Sequence, residues 1–302
     1  MISLSAWGGG SSIDSAKAAA IMAVNPGNLW DYASAGTGGR KQVQGAAAVV
    51  TISTTSGTGT EADPYCVITR EKTGEKLDFA LDEIFPVLSI IDPELMCTLP
   101  RSLTLCQGFD ALFHASECYI TNNHENRLVD IYAEDAVRHV AENLPLVLAD
   151  GSNLEARTNM AYAADILCGY TQSLICTTSH HIIAQAIGGV FPQVPHGVTL
   201  ILIALEYYKK VSHFFPVLFD ELGEMMGTPR DPDNPGMGFI TALERLMEIT
   251  GASSLTMEQF GITQEGLPTV AKNAVEVVGL DCDRYPTPLT TEDVLELLKK
   301  SY

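Results

Sequence analysis

Asp110 and His114 stand four apart in the run FDALFHASECY, so a helix through this stretch projects a carboxylate and an imidazole from one face. Both are metal-ligand types. A second cluster supplies His180, His181 and, fifteen residues after His181, His196 in the turn-like Val194-Pro195-His196-Gly197. One carboxylate with three imidazoles suits a first-row divalent ion such as Fe2+ or Zn2+ and leaves at least one position for substrate. A histidine taken alone is ordinarily a hydrogen-bonded core or surface residue. That plainer reading is kept for His124, His139 and His213, and it is favoured for His180.

A second constellation lies near the start of the chain. Gly8-Gly9-Gly10-Ser11 follows an apolar run and opens an Ala-rich stretch, so backbone N–H groups and the positive end of a helix dipole converge where a pyrophosphate could sit. A strand-to-helix turn that uses glycine only for tightness explains these residues equally well. Asp14 and Lys17 follow with the spacing of a solvated i,i+3 ion pair. Residues 51–60 read TISTTSGTGT, where interleaved hydroxyls and glycines suit close approach by polar cofactor oxygens, or equally a hydroxyl-rich surface loop. Lys76 comes sixteen residues beyond Thr60, after a hairpin turn at Thr73-Gly74, where a single lysine normally faces solvent.

These residues need elements to hold them. Residues 2–7, 47–53, 65–69 and 87–91 read as short buried strands, and residues 12–24 read as a helix stopped by Asn25-Pro26-Gly27. The first two strands and that helix make one βαβ unit. From Leu99 onward the texture changes to long amphipathic segments, at 107–121, 127–148, 154–170, 181–188, 237–249, 267–278 and 291–299. Pro86, Pro93 and Pro100 punctuate the change, which places a boundary near residues 92–99 between a partial α/β domain, 1–95, and an all-helical domain, 96–302. A parallel sheet cannot rest on one edge strand, so the reading expects earlier strands to be absent from this chain.

With 302 residues, 46% hydrophobic and 18% charged, the chain has material for a large core and two domains. The excess of 37 Asp+Glu over 18 Lys+Arg gives a net charge of −19, which disfavours nucleic acid and anionic lipid as partners. The longest strongly apolar run, residues 198–205, is far shorter than the ~20 residues that span a bilayer. Residues 1–6 lack a basic leader. Seven cysteines without a CxxC pair read as reduced thiols, so the expectation is a soluble cytoplasmic protein. Self-association is compatible with the sequence.

Taken in order, GGGSSIDSAK, TTSGTGTEAD, IIDPELMCTLP, GFDALFHASECY and HHIIAQAIGGVFPQVPHG resemble the iron-containing alcohol dehydrogenases over nearly the whole chain. The resemblance implies a dehydroquinate synthase-like architecture: an α/β dinucleotide-binding domain, then a helical metal domain, with the site in the cleft between them. It also implies pyrophosphate contact at Gly8, Gly9, Gly10, Ser11 and Asp14, with Lys17 completing the motif. Nicotinamide-side hydroxyls would come from Thr54, Thr55 and Thr58, a ribose contact from Lys76, and four metal ligands from Asp110, His114, His181 and His196. Fe2+ is the expected metal with Zn2+ as the alternative, and NAD or NADP the expected cofactor.

Three departures from the family pattern stand out. The family places a histidine four residues after the third ligand, where this chain has Gln185; an amide can hydrogen-bond a substrate oxygen but cannot exchange a proton near neutral pH. One extra residue lies between Gly188 and His196, so choosing His181 over His180 depends on anchoring the motif at Ile187-Gly188. Family members also begin with additional βα units that meet the adenosine ribose. The function implied is hydride transfer between a small alcohol or aldehyde and a nicotinamide. The alternatives are a catalytically silent remnant that keeps the helical metal domain, and a relative acting on hydroxy acids or hydroxy ketones.

Overall fold

The computed structural model describes residues 3–280 and 284–302; Ile2 and Cys282, read above as part of a strand and as a thiol, lie outside the described residues. Strand β1 (Ser3–Gly8) leads into helix α1 (Gly10–Met22), and β2 (Ala48–Ser53) returns parallel to β1 in the register Ser3↔Ala48 to Gly8↔Ser53. Helix α1 starts two residues earlier than its serines signal, because Gly9 takes the cap position without any side-chain cap. Its end is as expected: the Asn25 amide donates to the Ile21 carbonyl and closes the last turn.

β3 (Tyr65–Arg70) and β4 (Glu75–Ala80) form an antiparallel hairpin, separate from the parallel sheet of order β1-β2-β5, where β5 is Leu88–Ile91. The expectation of four equivalent buried strands is therefore corrected. Residues 65–69 belong to the hairpin. β1 and β5 are partly exposed, with Trp7 73% and Leu88 54% accessible, because among the described residues α1 covers one face of the sheet while these side chains look out from it. Glu75 pins the hairpin, accepting from the Trp30 indole, the Thr37 N–H and hydroxyl, and the Thr73 hydroxyl.

The rest is helical: α2 (Arg101–Asn122), α3 (Arg127–Ala149), α4 (Leu154–Ala161), α5 (Gly169–Leu174), α6 (Ser179–Val190), α7 (His196–Val211), α8 (Pro216–Met225), α9 (Gly238–Thr250), α10 (Leu267–Asn273) and α11 (Thr291–Lys300). They share one large core. Where the apolar spacing predicts a single helix over 154–170, a π turn at Tyr162–Cys168 divides it into α4 and α5, and a second π turn, Ala274–Val278, ends α10. Such a turn adds a residue without altering composition, so the pattern hides it.

Glycines mark where backbone meets backbone. A Cβ on Gly57 would sit 2.6 Å from Gln107 of α2, and one on Gly59 would sit 2.9 Å from the backbone of Gly169. The 54–62 loop is thereby seated directly on α2 and α5. A Cβ on Gly197 would fall 2.4 Å from the Cys106 carbonyl oxygen, so the first turn of α7 lies against α2 and delivers His196 beside Asp110.

Candidate metal centre and adjoining cleft

Asp110 and His114 face the same side of α2 and are both buried, at 4% and 6% exposure. Phe109 and Phe113, on adjacent positions, turn into the core against each other and against Tyr208, which fixes the rotation of the helix. Thr178 caps α6 by accepting from the His180 N–H and so sets His181 in the first turn, over the Asp110 face. Around Asp110 Oδ1 lie three imidazole Nε2 atoms, His181 at 3.4 Å, His114 at 3.7 Å and His196 at 3.9 Å. The donor atoms of Asp110, His114 and His181 all fall within 4.8 Å of one another; His196 lies beside Asp110 but outside that tighter trio. The His114 and His181 rings stack at 4.4 Å.

Hydrogen bonding selects the tautomers. His114 Nδ1 donates to the Gly57 carbonyl at 3.2 Å and His181 Nδ1 to Glu117 Oε1 at 2.7 Å, so each ring turns an Nε2 lone pair inward. Asp110 Oδ1 and His181 Nε2 are buried with no hydrogen-bond partner. Unpartnered acceptors sealed from water are costly unless a cation fills the space between them, and one carboxylate with imidazoles suits a first-row divalent ion.

The electrostatics agree with that arrangement at Asp110, His114 and His196, whereas the two carboxylates flanking His181 favour its charged form. Burial opposes ionisation of Asp110, yet the imidazoles, His114 foremost, hold its carboxyl down to about 2. Burial pushes His114 down to about 4 and His196 well below the usual imidazole range. It also pulls on His181, but Glu117 and Asp110 outweigh it and hold that ring up at about 9.

Glu117, one further turn along α2, is a site residue that the sequence reading passed over. Its Oε1 accepts from both His180 and His181, and its Oε2 accepts from the Thr178 N–H and hydroxyl. Burial raises its carboxyl, but the two imidazoles prevail and keep it far below the usual range. The spacing 110, 114, 117 is the i, i+4, i+7 signature of one helical face and could have found it. His180 is fully buried with its nitrogens on Glu117 and the Leu200 carbonyl; it turns away from Asp110, as the core reading of this residue expects.

A cleft of about 540 Å3 opens from the histidines to the glycine loop, lined among others by Gly10, Ser11, Thr58, Lys76, Gln185 and His196. That volume is in the range of small-molecule sites. Gly8 and Gly9 are not among the lining residues: Gly9 is seated on Thr55, whose side chain a Cβ would meet at 2.7 Å, and the Thr54 N–H donates to the Gly8 carbonyl. Of the three threonines only Thr58 lines the cleft.

Asp14 and Lys17 are not a solvated pair. Lys17 is wholly buried and bound to Thr60, Asp63 and the Tyr65 carbonyl. The Asp14 oxygens accept from the Thr60 hydroxyl and the Val67 N–H, tying the hairpin to α1. Lys76 is drawn into the cleft instead of solvent, because β4 packs on α6 with the lysine stem 3.4 Å from where a Gly188 Cβ would stand. Burial lowers the basicity of its ammonium, which Asp110 and Asp14 counter. Gln185 Oε1 is buried without a partner.

Two family models match the chain in succession. One described as iron-containing alcohol dehydrogenase covers residues 3–93, and one described as Fe-containing alcohol dehydrogenase family, C-terminal, covers residues 104–302. The chain is 32% identical over 303 residues to the NAD-dependent methanol dehydrogenase of Bacillus methanolicus, covering 97% of this chain and 75% of that one. It is 32% identical over 279 residues to the 1,3-propanediol dehydrogenase of Klebsiella pneumoniae, covering 89% and 68%. Among solved structures, an archaeal halo-thermophilic alcohol dehydrogenase from a Red Sea brine pool matches with TM-score 0.92 at 27% identity, over 99% of this chain and 77% of that one. A 1,3-propanediol oxidoreductase matches with TM-score 0.85 at 28% identity, over 99% and 77%.

Proposed function

The chain belongs to the iron-containing alcohol dehydrogenase family, and from that premise we propose that it interconverts a small alcohol and its aldehyde by hydride exchange with NAD or NADP. The observation that carries this reading is the buried, unpartnered pair Asp110 Oδ1 and His181 Nε2, ringed by imidazole nitrogens within 3.9 Å at one end of the cleft. Asp110, His114, His181 and His196 would hold one divalent cation, Fe2+ first and Zn2+ as the alternative. Bound together, the cation supplies Lewis acidity toward the substrate oxygen and the nicotinamide supplies the hydride acceptor or donor. In this reading residues 1–95 are the cofactor-binding part and residues 96–302 the metal-binding part.

The chain's own residues then do four things. The N–H groups at Gly10 and Ser11, at the start of α1, bind anionic oxygens of the dinucleotide. Thr58 and Lys76 flank the route from there to Asp110 and orient the ribose between them. Gln185, one helical turn after His181, offers its amide to the substrate oxygen and carries no titratable proton. Glu117 keeps the His181 ring turned so that Nε2 points inward.

The enzyme names borne by the relatives, methanol and 1,3-propanediol dehydrogenase, support small alcohols as the substrate class. No helix among the described residues is long and apolar enough to cross a membrane, and the net charge of −19 weighs against nucleic acid as a partner. The cytoplasmic placement rests on cysteine usage without a CxxC framework.

Metal analysis tests the ligand set. After chelation and reloading, the wild-type chain is expected to hold one divalent ion per chain, and an Asp110→Ala, His196→Ala double variant with an unchanged circular dichroism spectrum is expected to hold none. Equal stoichiometry in the two would overturn the assignment.

A further inference from the structure

Two carboxyl groups lie sealed where the 54–62 loop meets the π turn of Tyr162–Cys168. Glu61 is 3% exposed and Asp165 wholly buried. Neither oxygen of Asp165, nor Oε1 of Glu61, has a partner in good hydrogen-bond geometry among the described residues; what approaches Asp165 is the Gly57 N–H and the Glu61 carboxyl, which lies within hydrogen-bonding reach of it. Two carboxylates offer only acceptors, so a hydrogen bond between them requires that one keep its proton.

The surroundings leave few other ways to settle these charges. Glu61 Oε2 accepts from the Ser53 hydroxyl at 3.4 Å. The cation that bears on Glu61 is Lys17 of α1, whose ammonium is already committed to Thr60, Asp63 and Tyr65. On the π turn itself the thiol of Cys168 feels Asp165, and the Gly57 N–H lies near enough to favour its ionised form. Among the described residues, α2, α3, α4 and α5, which also pack on this turn, bring no charged side chain into an ion pair with either carboxyl. Asp110 of α2, like Asp165, bears on the Cys168 thiol. Gln172 of α5 adds a neutral strap, donating to the Thr58 carbonyl at 3.3 Å.

We propose that Glu61 and Asp165 share a single proton, and that this pair latches the 54–62 loop onto the helical segment, making Asp165 a positioning residue for dinucleotide binding. The inference rests on the reading of that loop as a cofactor-side wall of the cleft. Burial, then the repulsion of the partner, pushes Asp165 far above the usual carboxyl range, and burial raises Glu61 as well. The sign of the pH effect follows. The unfolded chain releases these protons above a pH of about 4, whereas the native pair retains one. The native state therefore binds more protons, and the latch's contribution to stability declines as pH rises toward the raised value of the pair. Once the second carboxyl ionises, like charges in a dry site repel, and the loop is released from the helices. Cofactor affinity falls with it.

Asp165→Asn separates this from a merely structural role, because its amide donates to an ionised Glu61 at every pH. Glu61→Gln is the mirror variant should the first fail to fold. Three readouts are taken on the metal-loaded chain from mildly acidic to alkaline pH: infrared absorption of protonated carboxyl groups, unfolding temperature, and the dissociation constant for NADH by fluorescence titration. The expected result is a carboxyl C=O band in the wild type at neutral pH that is missing from the variant. NADH affinity of the wild type should weaken by roughly tenfold or more on the alkaline side, against a flatter profile in the variant. Identical infrared spectra, or parallel affinity and stability profiles, would overturn the proposal. If the wild type binds no NADH at any pH, the cofactor reading and the positioning role both fall, and the infrared comparison still judges the shared proton.

Discussion

At the scale of single residues, the candidate centre depends on who holds the histidines. His181 is oriented by one contact, its Nδ1–H on Glu117 Oε1 at 2.7 Å, and the same oxygen also holds His180 at 2.8 Å. An amide in place of that carboxylate either keeps its oxygen on the two rings and turns its N–H groups against the Thr178 N–H and hydroxyl, or does the reverse, so one side loses its acceptor. Glu117→Gln is therefore expected to weaken cation affinity by about 10- to 100-fold, with Glu117→Asp intermediate. A competitive chelator titration measures this directly; unchanged affinity in Glu117→Gln would reduce Glu117 to a packing residue.

What the residues disclose before folding follows from distance along the chain. Asp110 and His114 share a helical face and declare themselves. His196 is legible through its Pro-His-Gly sequence, although Pro195 stands at the cap of α7 and the expected turn is the start of that helix. The partnership of Glu61 with Asp165, more than a hundred residues apart, leaves no local pattern at all, and Lys17 reads as a surface group until Thr60, Asp63 and Tyr65 are brought around it.

At the scale of elements, close backbone approach sets the site as much as side chains do. α7 begins at His196, and its second residue, Gly197, leaves no room for a methyl group against the Cys106 carbonyl of α2. Backbone cannot yield as a flexible side chain can, so Gly197→Ala must slide the first turn of α7 outward. The expected cost is about 1–3 kcal/mol of stability, together with loss of the 3.9 Å approach of His196 to Asp110. Chemical denaturation and cation titration of the same variant should move together; a variant with normal stability and normal cation affinity would show that the helices have slack there.

The elements themselves were unevenly legible. Helices with clear stops or caps, such as α11 with its Thr290–Asp293 capping box, can be bounded from sequence to within a residue or two. α7 was missed because its run from Val198 to Ala204 is buried nearly all round, which erases the 3.6-residue period. α8 was missed as well: it is only 10 residues long and begins at a proline. The hairpin was expected from Thr73-Gly74, but not that residues 65–69 would leave the parallel sheet for it.

At the scale of the whole molecule, the cleft joins groups from Gly10 to His196, and only the closed fold places the N-terminal end of α1 and the histidines along one channel. Composition could exclude partner classes but could not locate that channel. The central claim is that hydride moves between an alcohol carbon and a nicotinamide within it, supported by the ligands at Asp110 and its neighbours. The most direct measurement is isotope transfer: the metal-loaded chain is incubated with NAD or NADP and a panel of small primary alcohols deuterated at the carbinol carbon, and the nicotinamide is examined by NMR. The account predicts deuterium at C4 of the reduced nicotinamide, dependent on the divalent cation and absent with the Asp110→Ala, His196→Ala variant. A wild-type chain that binds both cation and dinucleotide yet transfers no deuterium from any member of the panel, or one that transfers it equally well with those two ligands removed, would contradict it.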